Sequence, residues 1–243
     1  VDFLSPVLYN LRNRGSQQHE TYARPGISIR VERMCRRLIL RREDSVKRLK
    51  IGVLASGGGS NLQSIIDRSL DGSLSAEVVV VISNNSQAKA LERAANHGID
   101  ALHISVVTEG SDDLALKRIT AEMIARDVDI VVLAGYMKKI GESLLQAFQG
   151  RILNIHPALL PKFGGSGMYG IHVHEAVIAA GEKESGPTVH YVDGHYDHGS
   201  IIAQVKVPVY PEDTPEGLQK RVLAEEHKLY PAVIQKIAEE WKS

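Results

Sequence analysis

Asn154 and His156 stand two residues apart at the end of the apolar run 151–155, and Pro157 follows them. If residues 152–155 form a strand, alternation turns Asn154 and His156 to one face. Proline cannot donate to a ladder, so the strand stops at 157. An amide donor and a titratable imidazole at the carboxyl end of a strand stand where open α/β sheets hold their sites. Together they suit transfer chemistry: an amide N–H can steady charge developing on an oxygen, and an imidazole can carry a proton near neutral pH. Taken alone, the pair fits a satisfied amide beside a surface histidine. The stretch after it, through Pro161 and the glycine-rich residues 164–170, is a loop of the kind that closes over ligands.

A second candidate lies upstream. Residues 56–61 read Ser-Gly-Gly-Gly-Ser-Asn, between the apolar run 51–55 and the helically spaced Leu62, Ile65, Ile66 and Leu70. Strand, glycine loop and helix bring free N–H groups to an anion. Ser60 or Asn61 could cap the helix and touch a phosphate. The dinucleotide fingerprint fails, because Leu62 holds the third glycine position, and no Gly-Lys-Ser/Thr completes a P-loop. A small phosphomonoester is the ligand favoured. His172, His174, His195 and His198 raise a zinc reading, but no acceptable ligand set is complete among them, and no metal is expected.

These residues need a scaffold. Strand-like runs recur at 51–55, 77–82, 101–104, 129–135 and 151–155. Helical patterns alternate with them, at 88–95 before Gly98, at 114–125 and at 142–148. That alternation predicts a parallel α/β sheet with helices on both faces. Beyond 155 the pattern changes to a helix over 174–180 and alternating strands over 188–192 and 200–209. These two strands can pair antiparallel as an edge to the sheet. Residues 214–242 are helical in period, with an interruption expected at Pro231.

Composition bounds the rest. Of 243 residues, 43% are apolar and 24% charged, ordinary for a soluble globular protein. No apolar run reaches the length of a membrane span. The one cysteine, Cys35, excludes an internal disulfide framework and a multi-cysteine zinc site. Zero net charge hides an asymmetry: residues 1–50 hold 12 Lys+Arg against 5 Asp+Glu, and the rest 17 against 24. The basic arm has no sustained period, no interleaved aromatics and no nucleic-acid motif, so neither nucleic acid nor membrane is expected as a partner. Residues 1–49 are read as a basic extension outside the fold and 50–243 as one catalytic domain. The compartment expected is the cytoplasm, with plastid or mitochondrion as the alternative if the arginine-rich arm is a transit peptide. Oligomeric state is not read from the sequence.

The chain resembles the folate-dependent phosphoribosylglycinamide formyltransferases. The matching pieces are residues 56–62, 133–137, 154–161, 162–170, 185–190, the turn through Asp197-His198-Gly199, and 221–231, in family order. The resemblance implies a Rossmann-like, mainly parallel sheet with an antiparallel end. It implies transfer of a formyl group from 10-formyltetrahydrofolate, as co-substrate, to the amine of 5-phosphoribosylglycinamide. Asn154, His156 and Asp197 stand at the family's catalytic positions. Gly59, Ser60 and Asn61 match its phosphate loop, and Glu226 the acid that holds the ribonucleotide. Met137, Lys138, Lys139 and Ile140 match a folate-contacting segment, and Asp193 to Asp197 the loop beside the pterin. Asn154 and Asp197 thus count both as catalytic and as folate-binding, while Thr188 and His190 are expected to support the trio. Two departures stand out. Gly194 replaces a usually acidic residue of the folate loop, and no basic residue appears around residues 110–113. Two other formyltetrahydrofolate enzymes share the trio. Methionyl-tRNA formyltransferase adds a carboxyl-terminal RNA-binding domain, for which a chain ending at Ser243 leaves no room. The deformylase adds an amino-terminal regulatory domain that residues 1–49 do not resemble. A non-catalytic phosphate-binding module is disfavoured by the intact trio.

Overall fold

A computed structural model describes residues 48–241. Five strands run parallel: β1 (Leu49–Ala55), β2 (Ala76–Ser83), β3 (Asp100–His103), β4 (Ile130–Leu133) and β5 (Ile152–His156). The sheet continues with β7 (Thr188–Tyr191), antiparallel to β5, and β8 (Ile201–Gln204), antiparallel to β7, giving the order β3-β2-β1-β4-β5-β7-β8. A separate ribbon pairs β6 (Glu184–Ser185) with β9 (Val207–Pro208). The helices are α1 (Ser60–Leu70), α2 (Lys89–Asn96), α3 (Val106–Glu109), α4 (Asp112–Ala125), α5 (Glu142–Ala147), α6 (Ile171–Ala179) and α7 (Pro215–Trp241). This is the α/β architecture read from the sequence, with its antiparallel edge.

Both faces of the sheet are covered because its central strands are apolar on both sides. Ile51 and Val53 of β1, Ile130 and Val132 of β4, and Leu153 and Ile155 of β5 pack with Leu62, Ile65 and Ile66 of α1 and Tyr230, Val233 and Ile234 of α7. The alternate residues Leu54, Val131, Leu133 and Ile152 pack with Ile119 and Met123 of α4 and Leu144 of α5. Alternation therefore assigns Asn154 and His156, which follow Ile152 in steps of two, to the face opposite Leu153 and Ile155. A third, smaller cluster joins Ala158, Val173, Val177, Val207, Leu218 and Val222, tying the segment after β5 to α6 and α7.

The sequence expectations differ from the structure in several places. Helix α7 runs unbroken through Pro231. The proline removes one helical N–H, but Tyr230, Val233 and Ile234 around it are buried. The Tyr230 hydroxyl also lies 3.0 Å from the carbonyls of both Leu133 and Leu153. That packing outweighs one lost bond. The run 200–209 is two strands, because residues after Gln204 leave β7 and Val207 pairs with Ser185 of β6. Helix α6 starts three residues before His174, and the short α3 was not anticipated; its capping box is Ser105 with Thr108. The fold also begins before Lys50. Leu49 opens β1 and is buried, and the Arg48 guanidinium donates to the carbonyls of Ser69 (2.6 Å) and Leu74 (3.0 Å). The remainder of the expected extension, residues 1–47, lies outside the described residues.

Candidate active site

The site starts from strand register. In the β5–β7 pair Asn154 faces His190 and His156 faces Thr188. Directly opposed side chains on one face of an antiparallel pair touch. The Asn154 amide nitrogen is accordingly 3.1 Å from His190 Nε2. His190 Nδ1 lies 2.7 Å from the Tyr191 carbonyl, which can only accept, so the ring carries its hydrogen on Nδ1 and accepts from Asn154 on Nε2. Thr188 does not line the cavity described below. Its hydroxyl donates to the Ala158 carbonyl (2.6 Å) and accepts from Leu160 N–H (3.1 Å) and the Gln204 amide (2.8 Å). It pins the chain as it leaves His156.

Loops supply the remaining groups. Asp197 holds a left-handed backbone, φ 52°, in the turn after β7, and Phe163 does likewise at φ 55° in the loop after β5. Neither conformation is common for a residue with a side chain. The Phe163 carbonyl meets His156 Nε2 at 2.7 Å, so that nitrogen carries the hydrogen and Nδ1 is left to take a proton. The Asp197 carboxylate lies 3.4 Å from His156 Nδ1, accepts from Gly165 N–H at 2.9 Å, and reaches the Asn154 amide nitrogen at 3.4 Å. Asn154, His156, His190 and Asp197 thus form one network.

Its electrostatics differ from the simplest expectation. Burial pushes the His156 pKa down, the Asp197 charge and the Phe163 carbonyl push it up, and burial wins. His156 is therefore neutral at rest, although the Asp197 charge favours its protonated form. For Asp197, burial works to raise the pKa. The neighbouring imidazoles of His190 and His156 and the bond from the Gly165 N–H outweigh it and hold the carboxyl below its ordinary range. His174, buried beside this network, is pushed down to about 4 by burial and then by His156, and its Nδ1 has no partner among the described residues. Sequence reading had weighed His174 only as a zinc ligand.

A cavity of about 620 Å³ opens over this network. One end reaches Ser60, Asn61 and Glu226. Helix α1 starts at Ser60 with no side-chain cap, so neither Ser60 nor Asn61 caps it, and Gly59 is the N-cap in left-handed conformation. Uncapped N–H groups are what an anion needs. Gly59 itself does not line the cavity. A Cβ there would sit 2.8 Å from the Ala90 Cα of α2, so this glycine permits loop-to-helix packing. Arg93 of α2, which sequence reading passed over, donates to the Gly58 carbonyl at 2.9 Å and to the Gln63 side chain at 3.0 Å. Glu226 accepts from the Asn61 amide at 2.6 Å. Burial raises its pKa, and the Asn61 bond opposes that only in part.

The same cavity is lined by Met137, Lys138, Lys139 and Ile140 and by Asp193 to Asp197. The Met137 N–H is anchored to the Ser56 hydroxyl at 2.9 Å. A second cavity of about 740 Å³ shares residues 136–140, Gly194 and Tyr196 and extends to α3 and α4. The structure therefore brings every sequence-predicted site residue to one locality, with Gly59 and Thr188 behind the cavity wall. Among the histidines considered for zinc, His195 and His198 do come together, with Asp193 as a third donor that the sequence reading had not counted.

Residues 49–234 match the family model described as formyl transferase. The chain is 48% identical over 195 residues to the chloroplastic phosphoribosylglycinamide formyltransferase of Arabidopsis thaliana, covering 80% of this chain and 67% of that one. It thus spans about two thirds of that protein's length. It is 40% identical over 186 residues to the phosphoribosylglycinamide formyltransferase of Haemophilus influenzae, covering 76% of this chain and 85% of that one. Its fold superposes on the crystal structure of glycinamide ribonucleotide transformylase 1 from Symbiobacterium toebii with a TM-score of 0.75 and 43% identity, over 79% of this chain and 89% of that one. With a matching family model, a matching fold and relatives of one name across most of its length, the chain belongs to the phosphoribosylglycinamide formyltransferase family of transferases.

Proposed function

We propose that this cavity transfers the formyl group of 10-formyltetrahydrofolate to the primary amine of 5-phosphoribosylglycinamide, a step of purine biosynthesis. One observation carries the reading: an amide, a neutral imidazole and an ionised carboxylate share one network at the floor of a cleft. The cleft leads on one side to an uncapped helix N-terminus and on the other to the 137–140 wall.

The ribonucleotide phosphate lies at Ser60 and Asn61, and Glu226 takes hydrogen bonds from the rest of that substrate. The folate lies along Met137 to Ile140 and the Asp193–Asp197 turn. The amine attacks the formyl carbon, and the carbonyl electron pair moves to oxygen. Asn154 is held in plane by its bond to His190, and its longer contact to Asp197 can be exchanged for that oxyanion. The proton released by the attacking nitrogen goes to His156 Nδ1, through a water ordered by Asp197 where the distance requires it. The new imidazolium then faces the Asp197 carboxylate, so the pair gains most when charge develops. Cleavage of the carbon–N10 bond returns the proton to N10 and leaves tetrahydrofolate and the formylated amide. No covalent enzyme intermediate and no metal enter these steps.

The test is formyl transfer from 10-formyltetrahydrofolate with 5-phosphoribosylglycinamide, water and formylatable tRNA as competing acceptors. The ribonucleotide should be the acceptor used. Preference for water or tRNA would assign the chain to a neighbouring formyltetrahydrofolate enzyme.

For the compartment we propose the cytoplasm; a plastid is the second reading, supported by one specific observation: the basic residues 1–50 precede a domain whose plant relative is named chloroplastic. Residues 1–50 fused to a fluorescent reporter in plant cells separate the two.

A further inference from the structure

We propose that Asp193, His195 and His198 form a binding site for one divalent cation of the zinc class, built on the turn that carries Asp197. Zinc holds imidazole nitrogen at about 2.0–2.1 Å and carboxylate oxygen at about 2.0–2.2 Å, so tetrahedral donors stand about 3.4 Å apart. Here the donor atoms of all three residues lie within 4.8 Å of one another. His198 Nδ1 is 2.9 Å from one Asp193 oxygen, and His195 Nδ1 is 3.8 Å from the other. The two imidazoles thus face different oxygens of one carboxylate, and rotation of these exposed side chains about it can bring one donor from each residue to the tetrahedral spacing.

Three further features favour an ion. The two imidazoles are inclined at 62°, with centroids 5.5 Å apart, so they meet edge to face and do not stack. The His195 N–H donates to Asp193 Oδ1 at 2.7 Å, a bond that orients the carboxylate as supporting hydrogen bonds orient metal ligands. The His195, His198 and Asp193 side chains are 81%, 75% and 41% exposed, so a hydrated ion reaches them without opening the fold. Two imidazoles and one carboxylate select zinc, nickel or copper over magnesium or calcium, whose donors are oxygens. Three protein ligands leave a position for water, making an open and exchangeable site.

The ligands bracket Asp197 in the chain, and Asp193 and His195 also line the cavity over the catalytic network. A cation held by all three ties the turn to itself. It therefore restrains the loop from which the Asp197 carboxylate reaches His156 and Gly165 N–H. Occupancy should slow turnover reversibly, so the site would act as a metal-sensitive brake.

The test begins with full-length protein, zinc chloride alone and no substrate, followed by calorimetry, so binding is read independently of the formyl-transfer assignment. One zinc should bind per chain, weakened at least tenfold in His195→Ala and in His198→Ala. His172→Ala should leave it unchanged, although His172 Nδ1 lies 2.9 Å from Glu175 and forms a competing two-donor pair. Cobalt in place of zinc should give the visible bands of a low-coordinate nitrogen–oxygen site, absent in His198→Ala. Metal-free His198→Ala should keep its turnover, and zinc should slow only the parent. Equal zinc affinity in His198→Ala, or equal loss in His172→Ala, would overturn the proposal.

Discussion

The proposed catalytic network has two halves held by different means. The strand half, Asn154, His156, His190 and Thr188, sits on the paired strands β5 and β7, where backbone register fixes which side chains meet. The loop half, Phe163, Gly165 and Asp197, sits on two connections, and all three residues hold positive φ, two of them without being glycine. The first half needs no special conformation, because a two-residue period places its groups. The second half works through backbone atoms as much as side chains: the Phe163 carbonyl fixes the His156 tautomer, and the Gly165 N–H orients Asp197. The difference suggests a division of labour. On the proposed mechanism the strands supply the reacting groups, and the loops set their protonation.

The largest effect should come from the strand half. His156→Ala removes the proposed proton acceptor, and turnover should fall by about 10³-fold, within the range of general-base catalysis. Steady-state assays on protein whose melting temperature is checked in parallel test this. A variant retaining a tenth of the activity would break the comparison, because the chemistry would then lie elsewhere.

Asp197→Asn is the matching change in the loop half. Asparagine tolerates φ 52°, so the turn should survive while its charge is lost. Turnover should fall by about 10²-fold, with little change in either substrate's binding. The sign of the pH effect follows from the balance at His156. Asp197 raises its pKa against a larger downward push from burial, so removing the charge lowers the pKa further. The neutral base then persists to lower pH, and the acid limb of the pH–rate profile should move to lower pH. The His156→Ala/Asp197→Asn double variant should be scarcely worse than His156→Ala alone, because residues acting as a unit are not additive. Multiplying losses would separate the two halves into independent devices.

The same division explains what was legible in the sequence. Asn154 and His156 were readable from alternation and a following proline, because a strand's period needs no tertiary information. The parallel sheet was readable for the same reason. Asp197 was not readable from pattern; its selection rested on family resemblance, since a turn aspartate beside a glycine has many other uses. The carbonyl of Phe163 and the N–H of Gly165 carry no side-chain signal at all. Gly59 matches the phosphate loop by resemblance, but that its missing Cβ makes room for Ala90 depends on a spatial neighbour that no sequence pattern shows. Pro231 was read as a helix break because local propensity was weighed without the burial of Tyr230 and Ile234.

Supporting residues offer a finer contrast. Thr188→Val keeps the shape but abandons three hydrogen bonds, leaving the buried Leu160 N–H unpaired. It should cost about 1–3 kcal/mol of stability. Gly199→Ala places a Cβ 1.9 Å from the Tyr191 carbonyl oxygen, and the turn after β7 must shift. Overpacking of this kind also costs about 1–3 kcal/mol. Denaturant melts should register similar losses, but kinetics should not agree. Thr188→Val should leave turnover within a few-fold below its melting temperature. Gly199→Ala displaces the Asp197 turn and should lower turnover by tenfold or more. Equal kinetic losses would mean that the loop half is as firmly placed as the strand half.

The smallest effect should come from outside both halves. Removing residues 1–46 leaves Arg48 and Leu49 in place, and melting temperature and turnover should stay unchanged, because the arm carries no helical or strand period. Removing residues 1–49 is a different experiment. It takes away the buried Leu49, worth about 1.5–3 kcal/mol by area, together with the Arg48 bonds to Ser69 and Leu74. That truncation should lower the melting temperature while turnover per folded molecule holds, since β1 meets neither half of the network through Leu49. A drop in turnover on removing 1–46 alone would show that the arm acts on the site, and the division into a strand half and a loop half would then need a third part.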